Sequence, residues 1–520
     1  MIKILISRSR ANKVTLILFF LSICIPLLMF NGTIDDFVPK QIVNVQETFN
    51  YGTLVEFSGH TIQVPGFNIY GAIILNLTGM SSENLIFFPF QLFPYTVIFF
   101  TIIYLISDNG IIAGSITLIT MISGSTGTTT IFFWPHGIGY ILFFTFLILI
   151  YVLFKNKNFK PVVLIATITG SALVYISYNL MAVSLILIAT IVVFLFIYIT
   201  TNKKIYFQNK NSLKIFTILF LVLAIVELGL SKFVYGVFIP TIQSAQELDL
   251  SGLDKFLQAY FNSNISSSPI NVLLLQFPSI ISIISGIKYS IIVLSIALFI
   301  SYFIFNRIRK TELTFQHLFL LAFIATFLIY MIPRYYIGGV VITLLWLPGI
   351  FCIAHFYRFS NTFKLFATIS IVIIAGCVIT YYYTMDEYNY INHNDYNTKL
   401  YKIPAKWLIT YSNENPTVSD ELTKNFLIFY TYKEFGYSKD SLYEITQKNG
   451  LILSKDALSL TQLSNNPTEN SYFVLNDKLP QLSLQNWIVI KPWKNYELQI
   501  DSNQKINKIY SIPLLSIYYS

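Results

Sequence analysis

The chain has 520 residues, of which 55% are hydrophobic and only 11% are charged, and its mean hydropathy is +0.63. Soluble globular proteins carry about 25% charged residues, so this composition excludes an ordinary soluble protein and predicts a polytopic membrane protein. The formal net charge of +9 does not indicate a nucleic-acid partner, because the basic residues lie in short loops between apolar segments.

Long apolar segments follow one another from the N-terminus to Thr384. A helix needs about 20 predominantly apolar residues to cross about 30 Å of hydrocarbon. This criterion predicts about eleven spanning helices. They lie near residues 14–30, 85–107, 110–133, 137–154, 161–179, 181–200, 214–233, 289–306, 317–332, 337–355 and 365–384. The predicted fold class of this part is therefore an α-helical polytopic membrane domain.

The basic residues predict the orientation of these helices, because Lys and Arg are retained on the cytoplasmic side. If the N-terminus is cytoplasmic, five basic clusters fall in cytoplasmic segments: 3–13, 155–160, 203–214, 307–310 and 358–364. The prediction is a multi-pass plasma-membrane protein with a transmembrane domain at 1–384. Its long outer loops are 31–84 and 232–288.

The composition becomes polar after Thr384. Short strand-like runs such as NFLIFYTY, SYFVLND and NWIVIKPW are separated by turn residues. Residues 385–520 are therefore predicted to form a small extracytoplasmic α/β domain.

Two adjacent carboxylates, Asp35 and Asp36, follow the first apolar segment. A carboxylate fixed at the membrane surface takes a proton from an acceptor hydroxyl, or helps to hold a divalent cation against a phosphate. The alternative is that the pair only caps or solvates the start of a helix. Later in the same loop, the stretch from Pro65 to Gly79 has apolar residues at helical spacing and predicts a juxtamembrane helix.

Arg334 is the one arginine that this topology places in an outer loop between helices. A guanidinium group binds phosphate oxygens through two parallel hydrogen bonds. The alternative is a snorkelling anchor beside Tyr335 and Tyr336. Lys232 and Lys288 are weaker outer cations of the same kind.

Glu227 lies in the outer part of the seventh apolar segment, where an acid usually faces a cavity or a partner, or is hydrated at the interface. His136, in the FWPHG turn, is a candidate ligand of the donor, or else an interfacial anchor. No metal-ligand spacing is present, and His317, His355 and His393 are not predicted to share a site.

The run DDFVPKQI, which begins at Asp35, resembles the acidic pair and following helix in the first outer loop of GT-C superfamily glycosyltransferases. The stretch from Gln63 to Gly79 is similar to their later juxtamembrane helix, which follows a proline and ends in Thr-Gly. The resemblance covers the layout through Thr384 and extends to the protein O-mannosyltransferases and the lipid A aminoarabinose transferases. Asp36 replaces the commoner Glu, which leaves open which carboxylate is the base.

The resemblance implies transfer of a hexosyl or pentosyl group at the outer membrane face. The donor would be a polyprenyl- or dolichyl-phosphate sugar among the membrane lipids, and the acceptor a glycan, lipid or protein. Asp35 would deprotonate the acceptor, Asp36 would assist or bind a divalent cation, and Arg334 would hold the carrier phosphate. No cofactor is certain.

Two other functions stay open at this point. A transporter or flippase for lipid-linked sugars or another amphiphile would share the apolar segments and the basic inner loops. A non-catalytic scaffold, or a sugar-polymer polymerase with its site in loop 232–288, is the third alternative.

Overall fold

The computed structural model describes most of the apolar part of the chain and short pieces of the C-terminal part. The described residues are 9–29, 38–52, 65–87, 89–122, 135–155, 160–201, 206–230, 279–308, 315–336, 345–387, 402–411, 417–419, 427, 430, 472–476, 507–512 and 515–519.

The described residues before Thr417 are mainly helical. The helices are α1 Ser9–Met29, α2 Val38–Tyr51, α3 Pro65–Thr78, α4 Ser82–Phe87, α5 Leu92–Ser107, α6 Gly110–Ile122, α7 Pro135–Lys155, α8 Lys160–Ile176, α9 Tyr178–Thr201, α10 Tyr206–Leu230, α11 Ser279–Ile308, α12 Phe315–Tyr336, α13 Trp346–Phe356, α14 Asn361–Glu387 and α15 Lys402–Tyr411. Each predicted apolar segment overlaps at least one of these helices, and the predicted helix from Pro65 coincides with α3.

Four of the described helices contain an apolar stretch long enough to cross a membrane. These stretches are Asn179–Ile197, Ser212–Gly229, Gly286–Phe305 and Asn361–Thr380. The other apolar helices of the described part are shorter, such as Leu92–Ser107 and Gly110–Ile122. The chain is therefore an α-helical membrane protein, while the number of spans and their orientation stay predictions.

Some helix boundaries differ from those predicted. The segment predicted at 85–107 is divided into α4 and α5 by a turn at Pro89–Gln91, because proline lacks the amide hydrogen that a continuous helix would use. The segment predicted to begin at residue 289 begins at Ser279 as α11. Lys288 consequently lies inside a helix and not at the end of an outer loop.

Small residues allow several helices to approach closely. A Cβ atom added to Gly114 of α6 would lie 2.7 Å from Cβ of Leu18 on α1, and one added to Gly349 of α13 would lie 2.5 Å from Cγ2 of Ile292 on α11. Such contacts between backbones are a main source of helix association where lipid surrounds the protein.

The described strands of the C-terminal part are β1 Thr417–Ser419, β2 Tyr472–Asn476, β3 Asn507–Ile512 and β4 Leu515–Tyr519. They form a sheet in the order β1-β2-β4-β3, in which β1 and β2 are parallel and the other pairs are antiparallel. Helix α15 packs on this sheet, with the Tyr472 hydroxyl donating to the Tyr411 carbonyl at 3.2 Å. Whether residues 385–520 fold as a separate domain stays a prediction.

Candidate functional site

Helices α2 and α3 belong to the predicted first outer loop and cross each other closely. A Cβ atom added to Gly71 would lie only 2.6 Å from Cγ1 of Val45, so this glycine is what allows the two backbones to approach. Val45 is fully buried by the contact. The pair is therefore a packed unit and not two independent surface helices.

One side of α2 is polar and nevertheless buried. Its members are Gln41, Asn44 and the adjacent residues Glu47 and Thr48, which lie about one helical turn apart and are each at most 6% exposed. The Thr48 hydroxyl donates to the Asn44 carbonyl at 2.8 Å, so its hydrogen is used in a bond within the helix. The other three side chains direct amide and carboxylate groups into a region from which solvent is excluded.

The start of α3 is anchored on the end of α8. A Cβ atom added to Gly66 would lie 2.9 Å from Cβ of Tyr175, next to the last residue of α8. Ser177 connects α8 to α9, and a Cβ atom added to Gly139 of α7 would lie 2.8 Å from its Cβ atom. This point, which we call the Ser177 junction, joins the α2–α3 pair to α7, α8 and α9.

Glu227 lies on the side of α10 that faces the same end of α8. It is 3% exposed and follows Leu223 by one helical turn. Leu223 in turn packs on α8, because a Cβ atom added to Gly170 would lie 2.8 Å from Leu223 Cδ2. A fully buried carboxylate is rare in proteins and is usually retained for pairing or for function.

The structure also places the backbones of His136 and Arg334 near the Ser177 junction. His136 lies in the first turn of α7, one turn before Gly139. Arg334 lies in the last turn of α12, one turn after Tyr330, whose hydroxyl donates to Asn179 Oδ1 at 3.1 Å just beyond the junction. Glu227, His136 and Arg334 are thus carried by helix ends that meet at one end of the bundle.

The remaining predicted residues are distributed differently. Asp35, Asp36 and Lys232 lie outside the described residues, although Asp36 precedes α2 by only two positions in the sequence. Lys288 is half-buried in α11, with its Nζ atom 5.5 Å from the centre of the Trp346 ring at the start of α13. This cation–π contact holds Lys288 within the bundle.

Sequence reasoning missed a set of buried amides at this end. In the described part of the chain, Asn44, Asn68 and Gln91 are buried amides whose oxygen and nitrogen atoms all lack a hydrogen bond. Leaving such a group unpaired costs about 1–3 kcal/mol, so each one requires an explanation. The only sequence signal is the polar spacing in α2, which does not distinguish a buried side from a solvated one.

Gln91 belongs to the same end of the bundle as the other two amides. Its carbonyl accepts from the Tyr95 amide in the first turn of α5, and the Tyr95 ring lies edge-on to Tyr140 at 6.5 Å. Tyr140 follows Gly139, which contacts the Ser177 junction. Asn68 stands two residues after Gly66, and Asn44 precedes Val45 at the α2–α3 crossing.

His317 and His355 were not predicted to share a site, but the structure places them together at the opposite end of the bundle. His317 and His355 are both buried, and their ring centres are 5.2 Å apart with the planes at 84°. Phe299 and Tyr302 of α11 lie against them. The sequence did not indicate this pair because the two residues lie on different helices.

The described residues contain no group of three or more His, Cys, Asp or Glu side chains that would hold a metal ion. The divalent cation predicted at Asp36 concerns residues beyond that described part.

Comparison of the sequence with protein-family models gives no match, and the curated proteins include no significantly similar sequence.

Proposed function

We propose that the protein is a glycosyltransferase of the GT-C type, acting on a sugar carried by a polyprenyl or dolichyl phosphate at the outer membrane face. The observation that carries the proposal is the meeting of helix ends at the Ser177 junction. There the start of α3 packs on the end of α8, and Glu227, His136 and Arg334 are carried by helices that begin or end at the same end of the bundle. The family resemblance supplies the reaction class.

The proposed reaction is a direct displacement at the anomeric carbon. The acceptor hydroxyl oxygen forms the new bond to that carbon, and the bond from the carbon to the carrier phosphate oxygen breaks. The phosphate leaves with the electron pair, and Asp35 takes the proton of the acceptor hydroxyl. Arg334 binds the negative charge on the carrier phosphate, where a guanidinium fork matches two oxygens.

Asp36, Glu227 and His136 have supporting roles in this proposal. Asp36 assists Asp35 or holds a divalent cation against the phosphate. Glu227 and His136 contact the sugar or the phosphate at the same end of the bundle. The C-terminal part is extracytoplasmic in this proposal and binds the acceptor or covers the site.

The test is a turnover assay with the purified full-length protein in lipid nanodiscs, supplied with polyprenyl-phosphate hexoses and scored by release of the carrier phosphate. Asp35→Asn is expected to lower turnover by at least about 100-fold, the usual contribution of a general base. Arg334→Ala is expected to raise the KM for the donor. Asp108→Asn is the matched control, because Asp108 ends α5 far from the Ser177 junction. Unchanged turnover in Asp35→Asn would exclude Asp35 as the base.

A transporter or flippase is the second candidate, and the buried polar groups at the opposite end of the bundle favour it. Tyr151, Gln316, His317 and His355 lie at that end, so polar side chains occur at both ends of the helices. Movement of a labelled lipid-phosphate sugar across proteoliposomes, without release of carrier phosphate, would support this function over transfer.

A further inference from the structure

A lysine and a tryptophan lie together where α11, α13 and α14 pack. The Lys288 Nζ atom is 5.5 Å from the centre of the Trp346 ring and 5.0 Å from the centre of the Tyr289 ring. Lys288 of α11 also interacts electrostatically with Cys377 of α14. The position of this ammonium group is therefore set by three helices, and an ionisable group within an apolar helix is usually retained for function or for pairing.

The indole of Trp346 lacks the partner that a buried tryptophan normally has. Trp346 is 0% exposed, and its Nε1 atom makes no hydrogen bond within the described part of the chain. The N–H of a buried tryptophan usually finds an acceptor, and a donor that is left unpaired destabilises the protein. The missing partner must be an acceptor, because the indole nitrogen only donates.

The start of α13 adds positive charge at the same place. Trp346 is the first residue of this helix, Leu345 before it provides no side-chain cap, and the first turn contains no acidic residue. The amide groups at a helix N-terminus carry a partial positive charge. The ammonium group of Lys288, the indole N–H and this helix end consequently all favour an acceptor that is negatively charged.

Lys288 lies at the depth of lipid headgroups and is accessible from the bilayer. The stretch of α11 from Lys288 to Arg307 is about 29 Å long, close to the hydrocarbon thickness of about 30 Å, so these two cations suit opposite faces of the membrane. Lys288 is half-buried, and the adjacent Ile287 is 44% exposed. On α14, a Cβ atom added to Gly376, beside Cys377, would meet nothing within 4 Å. An anion that approaches Lys288 from this side is the headgroup of a lipid.

We propose that Lys288 and Trp346 bind the phosphate group of a membrane lipid. The ammonium group donates to one phosphate oxygen and neutralises its charge, and the indole N–H donates to a second oxygen of the same phosphate. The lipid chains lie against exposed apolar side chains of α11, such as Ile283 and Ile287. Because the Trp346 Nε1 atom is covered in this structure, the atoms that cover it move when the phosphate binds. This binding is independent of the proposed transfer reaction, in which Arg334 holds the carrier phosphate.

A general membrane anchor is the alternative role for Lys288. Lysine side chains near a membrane face extend to the headgroup region without binding a particular lipid. An anchor would stabilise the protein to the same degree with any lipid. A phosphate site requires a measurable affinity that depends on both Lys288 and the indole N–H.

The first experiment titrates phosphatidylglycerol into the full-length protein in a neutral detergent and records the lipid concentration at half-maximal thermal stabilisation. Lys288→Met should raise this concentration by at least about tenfold, the value of one charge-assisted hydrogen bond. Lys364→Met is the matched control, because Lys364 is an exposed lysine of α14 and its loss changes the net charge by the same amount. The control should leave the concentration nearly unchanged.

Trp346→Phe tests the indole separately. It keeps an aromatic ring at the position beside Lys288 and removes the N–H donor, so the affinity for phosphatidylglycerol should fall by about threefold to tenfold. Lys288→Arg keeps the positive charge and should lose less affinity than Lys288→Met. The unfolding temperature of each variant without lipid separates a loss of packing from a loss of binding.

Polyprenyl phosphate and inorganic phosphate distinguish the sources of the phosphate group. Binding of both lipids, weakened in Lys288→Met, assigns the site to phospholipids as well as to the carrier, whereas binding of polyprenyl phosphate alone assigns it to the carrier lipid. Equally tight binding of inorganic phosphate would show that no lipid is needed and would overturn the proposal.

Three further results would also overturn the site. One is the absence of stabilisation of the wild type by either lipid. Another is an equal loss of affinity in Lys288→Met and Lys364→Met, which would show a non-specific effect of charge. The third is unchanged affinity in Lys288→Met or in Trp346→Phe, which would leave Lys288 as an anchor or exclude the indole from the site.

Discussion

The Leu105 carbonyl is the point at which α5, α7 and α13 are tied together. It accepts from the Tyr151 hydroxyl at 3.0 Å and from Arg358 Nη2 at 2.7 Å, just past the end of α13. Tyr151 also accepts from Gln316 of α12 at 2.6 Å. One hydroxyl therefore links two other helices to its own.

We expect Tyr151→Phe to lower the free energy of unfolding by about 1–2 kcal/mol, because it leaves the Gln316 amide without its acceptor and removes one of two donors to Leu105. Thermal unfolding in nanodiscs measures the change. Tyr104→Phe is the control: Tyr104 stacks on Phe100 at 6.4 Å and makes no hydrogen bond through its hydroxyl within the described residues. Equal effects of the two substitutions would contradict the role given to Tyr151.

At the scale of single elements, the close pairing of α2 and α3 depends on Gly71, which has no side chain at the point where the helices cross. Gly71→Ala places a Cβ atom 2.6 Å from Val45 Cγ1 and 2.7 Å from Val45 Cγ2. Both distances are much shorter than an ordinary van der Waals contact between carbon atoms. We expect a loss of about 1–3 kcal/mol in the free energy of unfolding, the usual cost of overpacking.

Gly376→Ala in α14 is the matched control, because a Cβ atom added there meets nothing within 4 Å. This substitution should be neutral or stabilising by up to about 1 kcal/mol, since alanine favours the helix over glycine. The double variant Gly71→Ala/Val45→Ala should recover most of the stability lost in Gly71→Ala. Failure of that rescue would show that the clash is not with Val45.

The apolar helices were predictable because hydrophobicity is a local property of each segment. The burial of Gln41, Asn44 and Glu47 was not, since it depends on the packing of α2 against α3, and an isolated segment with this spacing looks like a solvated helix. The pairing of His317 with His355 also depends on tertiary packing. Glu227 was identified from sequence because a carboxylate within an apolar segment is itself unusual.

At the scale of the whole molecule, the predicted orientation places α3 outside the cell and the turn after α13 in the cytoplasm. Asn76 in α3 and Ser360 before α14 are both exposed and suit a labelling test in a variant whose native cysteines are replaced. Asn76→Cys should react with a membrane-impermeant maleimide in intact cells. Ser360→Cys should react only after the membrane is permeabilised. The reverse pattern would invert the topology and place the Ser177 junction at the cytoplasmic face.

Helix α13 has only 11 residues, all of them buried, and packs against α5, α11, α12 and α14. Its length of about 16 Å is roughly half of the hydrocarbon thickness of a bilayer. All of the described residues of α13 therefore face other helices, and none of them faces lipid. We expect substitutions in α13 to act through the packing of these neighbouring helices and not through contact with the bilayer.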